Sequence, residues 1–226
     1  MDAGLRQNYE YKASAREQLK GKWMIAVLVI LISWILGQAF QNSSGVRYSM
    51  VDGEIVRQTS GAFANFGALI NLILAGPIAY GVATFFLKLV RGQNPILEDI
   101  FGGFKNFLNT FLLHLISSIF IVLWTLLLIV PGIIAALRYS MAYYIMNDNP
   151  GMTAMEAIRQ SKEMMKGYKG KLFVLTLSFI GWFLLGILTL GIGLLWVGAY
   201  YSTAKANFYE DLKRNNKIGS FEENKY

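Results

Sequence analysis

Four long runs of apolar residues alternate with charged segments along the chain. The runs cover residues 23–40, 63–87, 107–130 and 172–208, and Lys205 is the only Asp, Glu, Lys or Arg within them. A bilayer core about 30 Å thick needs roughly 20 helical residues to cross it. The pattern therefore predicts transmembrane helices separated by short polar connections.

Helix length determines how many spans the runs contain. One helix over residues 107–148 would be about 63 Å long, twice the thickness of the hydrocarbon core. Pro131 and Gly132 mark the turn, because proline suits the first turn of a helix but not its interior. The same length argument divides residues 172–208 at residues 189–193. Six spans are predicted, over residues 23–40, 63–87, 107–129, 131–148, 171–188 and 191–208.

The predicted fold is an all-α membrane protein with six transmembrane helices in three hairpins. Residues 15–37 resemble residues 161–186, since both run from a charged segment through Lys-Gly into an apolar span. Residues 76–107 resemble residues 131–165. In each of these two segments a Gly/Pro turn is expected to open a span, and Asn-Pro follows it. Each hairpin thus begins with an interfacial amphipathic helix. The expected organisation is a cytoplasmic amphipathic segment (1–22), a membrane domain (23–208) and a cytoplasmic polar tail (209–226).

Basic residues predict the orientation of the spans. On the outer side of the predicted spans the only basic residues are Arg47 and Arg57, both in the loop 41–62. The positive-inside rule therefore predicts cytoplasmic N- and C-termini. A cleaved signal peptide ending near residue 39 is the alternative interpretation of the first span, but its basic region would be unusually long. The net charge of +7 indicates contact with anionic headgroups on the cytoplasmic side rather than with nucleic acid.

The sequence offers no catalytic constellation. It has no cysteine, which excludes disulfides and thiolate metal sites. Paired carboxylates, an HExxH motif, a Walker loop and a nucleophile elbow are also missing from the sequence. We therefore expect a protein that is not an enzyme and that carries no metal or cofactor.

Three polar residues inside the spans are candidates for a ligand or transport path. His114 is the only histidine of the sequence, and ionisable groups inside the membrane are often functional. The alternative is a neutral imidazole that forms a hydrogen bond with a nearby serine or backbone carbonyl. Arg138 either extends toward the outer headgroups and the Pro131 turn or faces inward to hold an anion. Asn71 would line the same interior.

The third interfacial helix has the clearest start signal. Thr153 is expected to cap it, with Glu156 at the capping-box position. Its charged face carries Arg159, Lys162 and Lys166, which would contact lipid or a partner. The alternative is a connector that packs beneath the spans.

Several stretches resemble a known family. These are "RYSMAYYIMNDNP", "AIRQSKEMMKGYK", "LSFIGWFLLGILTLGIGLLW", "TAKANFYEDL" and the N-terminal "REQLKGKW". They are similar to bacterial membrane proteins of the domain of unknown function 975 family. The layout is more distantly similar to the membrane domain of glycerophosphodiester phosphodiesterases. The resemblance implies a multi-pass protein of the bacterial cytoplasmic membrane, without assigned activity.

Two functions follow as expectations. The first is a non-enzymatic scaffold or regulator of membrane partners or lipid, including a membrane-protein partner. The alternative is a transporter for a small solute or peptide that uses the interior of the bundle, because many transporters consist of repeated units.

Overall fold

The computed structural model describes the backbone of residues 4–39, 46–51, 54–59 and 63–223, and the side chains of residues 4–37 and 69–215. Helices account for most of this part of the chain, as the apolar runs predict. In chain order they are α1 (Asn8–Leu19), α2 (Trp23–Ala39), α3 (Phe63–Val90), α4 (Phe107–Leu127), α5 (Ile129–Tyr139), α6 (Ala142–Asp148), α7 (Ala154–Met164), α8 (Lys169–Leu177), α9 (Ile180–Leu188) and α10 (Gly193–Glu223). A 3₁₀ helix, Leu97–Asn106, precedes α4.

Four helical segments are long and apolar enough to cross a bilayer. They are Leu69–Val90, Leu97–Leu127, Ile129–Asp148 and Lys169–Leu188. A fifth is added if Asn8–Leu19 and Trp23–Gly37, which meet at 102°, form one bent span. A helical fold with several candidate spans is therefore confirmed for the residues described. The number six, the three-hairpin arrangement and the orientation of the termini stay predictions.

Two of the predicted spans are broken helices. The span expected over residues 131–148 consists of α5 and α6, with Ser140 at the break. The span expected over residues 171–188 consists of α8 and α9, with Ser178 at the break. Each of these serine hydroxyls donates to the carbonyl three residues earlier, at 2.8 Å for Ser140 and 2.6 Å for Ser178. Such local hydrogen bonds compete with the helical ladder.

One proline lies at the start of a helix and another lies in the interior of a helix. Pro131 lies in the first turn of α5, which begins after Leu128 in an extended conformation, as its sequence predicts. The expectation that Gly76 and Pro77 open a span is wrong, because α3 continues through both. At Gly76 the backbone of α4 comes so close that a Cβ would overlap the carbonyl of Thr110. A neighbouring helix thus supports α3 at its proline, as is common in membrane helices.

A small antiparallel sheet was not expected. Its strands are β1 (Val46–Val51) and β2 (Glu54–Thr59), with Val46 opposite Thr59 and Val51 opposite Glu54. The sheet lies within the predicted outer loop, residues 41–62. The fold is therefore helical with one added hairpin between α2 and α3.

Helix α1 is packed beneath the bundle, against α10. Its residues Tyr11, Ala15 and Leu19 are buried. The Tyr11 hydroxyl donates to the carboxylate of Asp211 at 2.6 Å. Burial, together with this hydrogen bond, raises the pKa of Tyr11 well above its ordinary value. The segment predicted as a cytoplasmic amphipathic helix therefore buries its apolar face against protein.

The 3₁₀ helix lies against α3 at two glycines. A Cβ at Gly81 would overlap the backbone of Ile100, and a Cβ at Gly103 would overlap the backbone of Pro77. The two backbones touch only because both side chains are absent. This contact fixes the start of α4 relative to α3.

The turns between α4 and α5 and between α9 and α10 are apolar and exposed. Each side chain from Leu126 to Val130 is at least 65% exposed, and Leu190 in the second turn is 94% exposed. Leu190 has a φ of 56° and Gly191 a φ of 85°, so the second turn places a bulky residue in the left-handed region. The sequence carries no Asp, Glu, Lys or Arg from residue 106 to 137 or from residue 172 to 204.

Candidate ligand-binding site

A cavity of about 480 Å³ lies within the helical bundle. Residues of α2, α3, α4, α6 and α10 line it, together with the α5–α6 break. Several lining residues are small, which leaves space between the helices: Gly37, Ala75, Ala79, Ala83 and Ser202. Ligand pockets are typically about 300–1,000 Å³. This central cavity is therefore large enough for a small molecule or one hydrocarbon chain.

Two of the three polar candidates from the sequence line the central cavity. The Asn71 amide donates to the carbonyl of Gly37, near the end of α2, where helical carbonyls lack intrahelical partners. His114 Nδ1 lies 3.0 Å from the hydroxyl of Tyr143. The hydrogen-bond partner is thus a tyrosine of α6 and not the nearby serine or carbonyl expected from the sequence. The structure thus brings Asn71 and His114 to one cavity from α3 and α4.

Lys205 lines the same cavity from α10. Its side chain is partly buried, and its Nζ lies 6.0 Å from the ring centroid of Tyr144, a cation–π contact. Among the described side chains, no carboxylate lies within ion-pair distance of this ammonium. Sequence reasoning did not select Lys205, although it is the only charge in the final apolar run.

Arg138 lies in a separate recess. This recess, about 130 Å³ in volume, is formed by Trp124, Pro131, Ile134, Ala135 and Arg138. Arg138 lines this recess together with Pro131. The Arg138 side chain therefore extends toward the α4–α5 turn, which is one of the two directions expected from the sequence. Arg138 therefore does not join His114 and Asn71 in the central cavity.

Helix α7 begins as predicted and packs against the bundle. The Thr153 hydroxyl accepts from the Glu156 amide, and the Glu156 carboxylate accepts from the Thr153 amide, which completes the capping box. Both hydrogen bonds of Thr153 to Glu156 favour the carboxylate form and lower the pKa of Glu156. One face of the helix is buried, whereas Arg159, Lys162 and Lys166 are exposed. None of these three residues lines the central cavity.

A network of charged residues joins the C-terminal ends of α3 and α6 to the middle of α10. The Asp148 carboxylate at the end of α6 accepts from Arg91 Nη2 at 2.7 Å, from the Tyr209 hydroxyl at 2.7 Å and from Lys213. Arg91 also binds Glu210 at 2.6 Å. We call this group (Arg91, Asp148, Tyr209, Glu210 and Lys213) the Asp148 cluster. It ties α3 and α6 to α10 and lies about 8 Å along α10 from Lys205, at about 1.5 Å per residue.

The groups that line the central cavity can bind a polar or charged ligand. Lys205 supplies a positive charge, and Tyr144, Tyr201 and Ser202 supply hydroxyls. The lining contains no carboxylate, so no acid–base pair faces its single imidazole. Nowhere among the described residues do three or more His, Cys, Asp or Glu side chains gather to hold a metal ion.

Comparisons with known proteins give one family. The family model described as "Protein of unknown function (DUF975)" matches residues 1–136 and 125–216. No curated protein and no solved structure matches the chain. These two segments together cover nearly the whole sequence, including each stretch that carries the resemblance. The chain therefore belongs to the DUF975 family of proteins of unknown function.

Proposed function

We propose that this chain is a non-enzymatic membrane protein that binds a lipid or small amphiphile in the central cavity and so regulates a membrane process. The observation that supports this most is the cavity itself, which is of ligand size and contains Lys205, a cation with no ion-pair partner among the side chains that the structure describes. An intramembrane charge without a partner is costly and is usually functional. Partners in this proposal are the bilayer, with anionic headgroups on the cytoplasmic side, and a membrane protein that responds to the bound state.

The proposal includes six spans across the bacterial cytoplasmic membrane, with both termini on the cytoplasmic side. The family membership, the positive-inside pattern and the apolar turns support it. In this topology α10 would contain the sixth span. The more distant similarity to the membrane domain of glycerophosphodiester phosphodiesterases stays a prediction.

Cysteine labelling tests the orientation, because the chain has no native cysteine. We expect Ser49→Cys, in the predicted outer loop, to react with an impermeant maleimide on intact cells. We expect Lys162→Cys, on the exposed face of α7, to react only after lysis. Position 162 is preferred to its neighbour Ser161, which is buried and donates to the Arg138 carbonyl. The reverse labelling pattern would contradict the proposed topology.

Filling the central cavity tests the binding function. Ala79→Phe places a large ring among the lining residues, so we expect native mass spectrometry to show loss of the co-purified small molecule that the wild-type protein retains. The matched control is Leu177→Phe, which adds a ring at a position 49% exposed on the outer surface of α8. Equal retention by Ala79→Phe and the wild-type protein would argue against the cavity as the binding site.

Transport is the second candidate function. The observation that favours it is the presence of His114 and Asn71 in the lining of one cavity. A transporter in proteoliposomes would release the bound molecule from preloaded vesicles, and Ala79→Phe would block that release. Binding without release would favour the regulatory role.

A further inference from the structure

We propose that the ligand of the central cavity is an amphiphile of net negative charge, whose carboxylate or phosphate group is bound by Lys205. Its hydrocarbon chain would lie along α3 toward Asn71. This inference rests on the proposed binding function and names the chemical class of the ligand.

The charge of Lys205 is the first reason. An ammonium removed from water needs a compensating partner, and its free energy is high without one. Among the described side chains the Tyr144 ring provides a cation–π contact, and no carboxylate neutralises the charge. An anion from outside the chain would supply the missing charge.

The groups near Lys205 suit an oxyanion. Ser202 lies one helical turn before Lys205 on α10 and lines the same cavity. Tyr201 also lines it, but its hydroxyl donates to Thr176 Oγ1 at 3.0 Å, because the Thr176 proton goes to the Leu172 carbonyl. Ser202 is therefore the hydroxyl donor beside Lys205. Hydroxyl donors beside a cation are the usual partners of carboxylate and phosphate oxygens.

The opposite wall suits a hydrocarbon chain. The residues of α3 that line the cavity begin at Asn71 and end at Ala83. All of them except Asn71 are apolar: Leu74, Ala75, Ile78, Ala79, Val82 and Ala83. These twelve residue steps extend about 18 Å along a helix. An elongated apolar wall of this length favours an extended chain over a compact solute.

The position of the Asp148 cluster orients the ligand. Lys205 and Tyr144 are the lining residues nearest this cluster along α10 and α6, whereas Asn71 lies at the other end of α3. In the proposed topology the cluster faces the cytoplasm. The anionic group would therefore lie on the cytoplasmic side, as it does in a lipid of the inner leaflet.

Binding measurements on the full-length protein in a neutral detergent test this inference. The probes are oleate, lysophosphatidylglycerol, the zwitterionic lysophosphatidylcholine and inorganic phosphate. We expect oleate and lysophosphatidylglycerol to bind the wild-type protein and Lys205→Met to weaken both by about tenfold or more, because a charge-assisted contact is lost. Lys205→Arg, which keeps the charge, should retain most of the affinity. Lys162→Met, on the exposed face of α7, should leave it unchanged.

The source of the anion is decided by comparing the probes. Binding of inorganic phosphate as strong as that of the lipids would overturn an amphiphile in favour of a free anion. Two results would overturn the role of Lys205. One is that lysophosphatidylcholine binds as strongly as lysophosphatidylglycerol. The other is that Lys205→Met, with a native circular dichroism spectrum, binds lipid as the wild-type protein does. Loss of lipid binding by Ala79→Phe but not by Lys205→Met would leave the cavity function standing and refute only this inference. Full binding by both variants would refute the proposed function itself.

Discussion

Asp148→Ala is expected to lower the free energy of unfolding by about 3 kcal/mol, the lower end of the range for breaking a buried ion pair. The Asp148 side chain is 10% exposed and accepts hydrogen bonds from Arg91, Tyr209 and Lys213. Its removal leaves two cations with reduced compensation at the point where α3, α6 and α10 meet. The lower value applies because Arg91 and Lys213 are 29% and 31% exposed, so water partly replaces the lost carboxylate. Chemical unfolding in detergent micelles measures the change.

The matched control is Glu17→Ala. Glu17 pairs with Lys20 at 2.6 Å, but both side chains are about 70% exposed. An exposed pair of this kind contributes at most about 1 kcal/mol. Similar losses in the two variants would mean that the Asp148 cluster does not hold the three helices together.

Gly81→Ala is expected to destabilise the protein by about 2 kcal/mol or more, since overpacking a tight contact typically costs about 1–3 kcal/mol. The new Cβ would overlap the backbone of Ile100, which cannot move away as the end of a flexible side chain can. The 3₁₀ helix would have to separate from α3. The loss should appear as a lower unfolding midpoint and as faster proteolysis between α3 and α4.

Gly102→Ala serves as the control for this substitution. Gly102 lies in the same 3₁₀ helix, and a Cβ there would meet nothing within 4 Å. We expect its stability to stay within about 0.5 kcal/mol of the wild-type value, as for most surface changes. Equal effects at positions 81 and 102 would mean that the close contact between α3 and the 3₁₀ helix is not what makes position 81 sensitive.

Local chemistry predicted the ends of several helices correctly. Pro131 lies in the first turn of α5, and Thr153 with Glu156 forms the capping box of α7. These signals depend on residues close together in the sequence, so no knowledge of the fold was needed. An Asp-Gly pair at residues 52 and 53 is a hairpin signal of the same kind, which could have predicted the small sheet.

Features that depend on a neighbouring helix could not be predicted in this way. Pro77 lies inside α3, where Gly76 lets the backbone of α4 approach. The breaks at Ser140 and Ser178 interrupt runs whose apolar composition predicts continuous helices. Composition reports that a segment prefers lipid or a protein core, but not where a helix bends.

The candidate site was predicted only in part, for the same reason. Asn71 and His114 stand out in the sequence as polar residues within apolar runs, and both line the central cavity. Lys205 stands out equally, but its partner Tyr144 lies 61 positions earlier on another helix. Arg138 lines a separate recess with Pro131 and with Trp124 of the neighbouring helix α4, which the sequence alone does not place beside it.

The two uncharged turns have a consequence for biogenesis. Moving a charged residue through the centre of the bilayer costs about 2.5–3.5 kcal/mol on scales from insertion experiments. The turns around Leu128 and Leu190 carry no such charge, so in the proposed topology each can enter the membrane together with its flanking helices. Residues 41–62, with Arg47 and Arg57, form the one hydrophilic stretch that the insertion machinery would have to transfer across the bilayer. In that topology this stretch lies in the first third of the sequence, so it leaves the ribosome before the later hairpins.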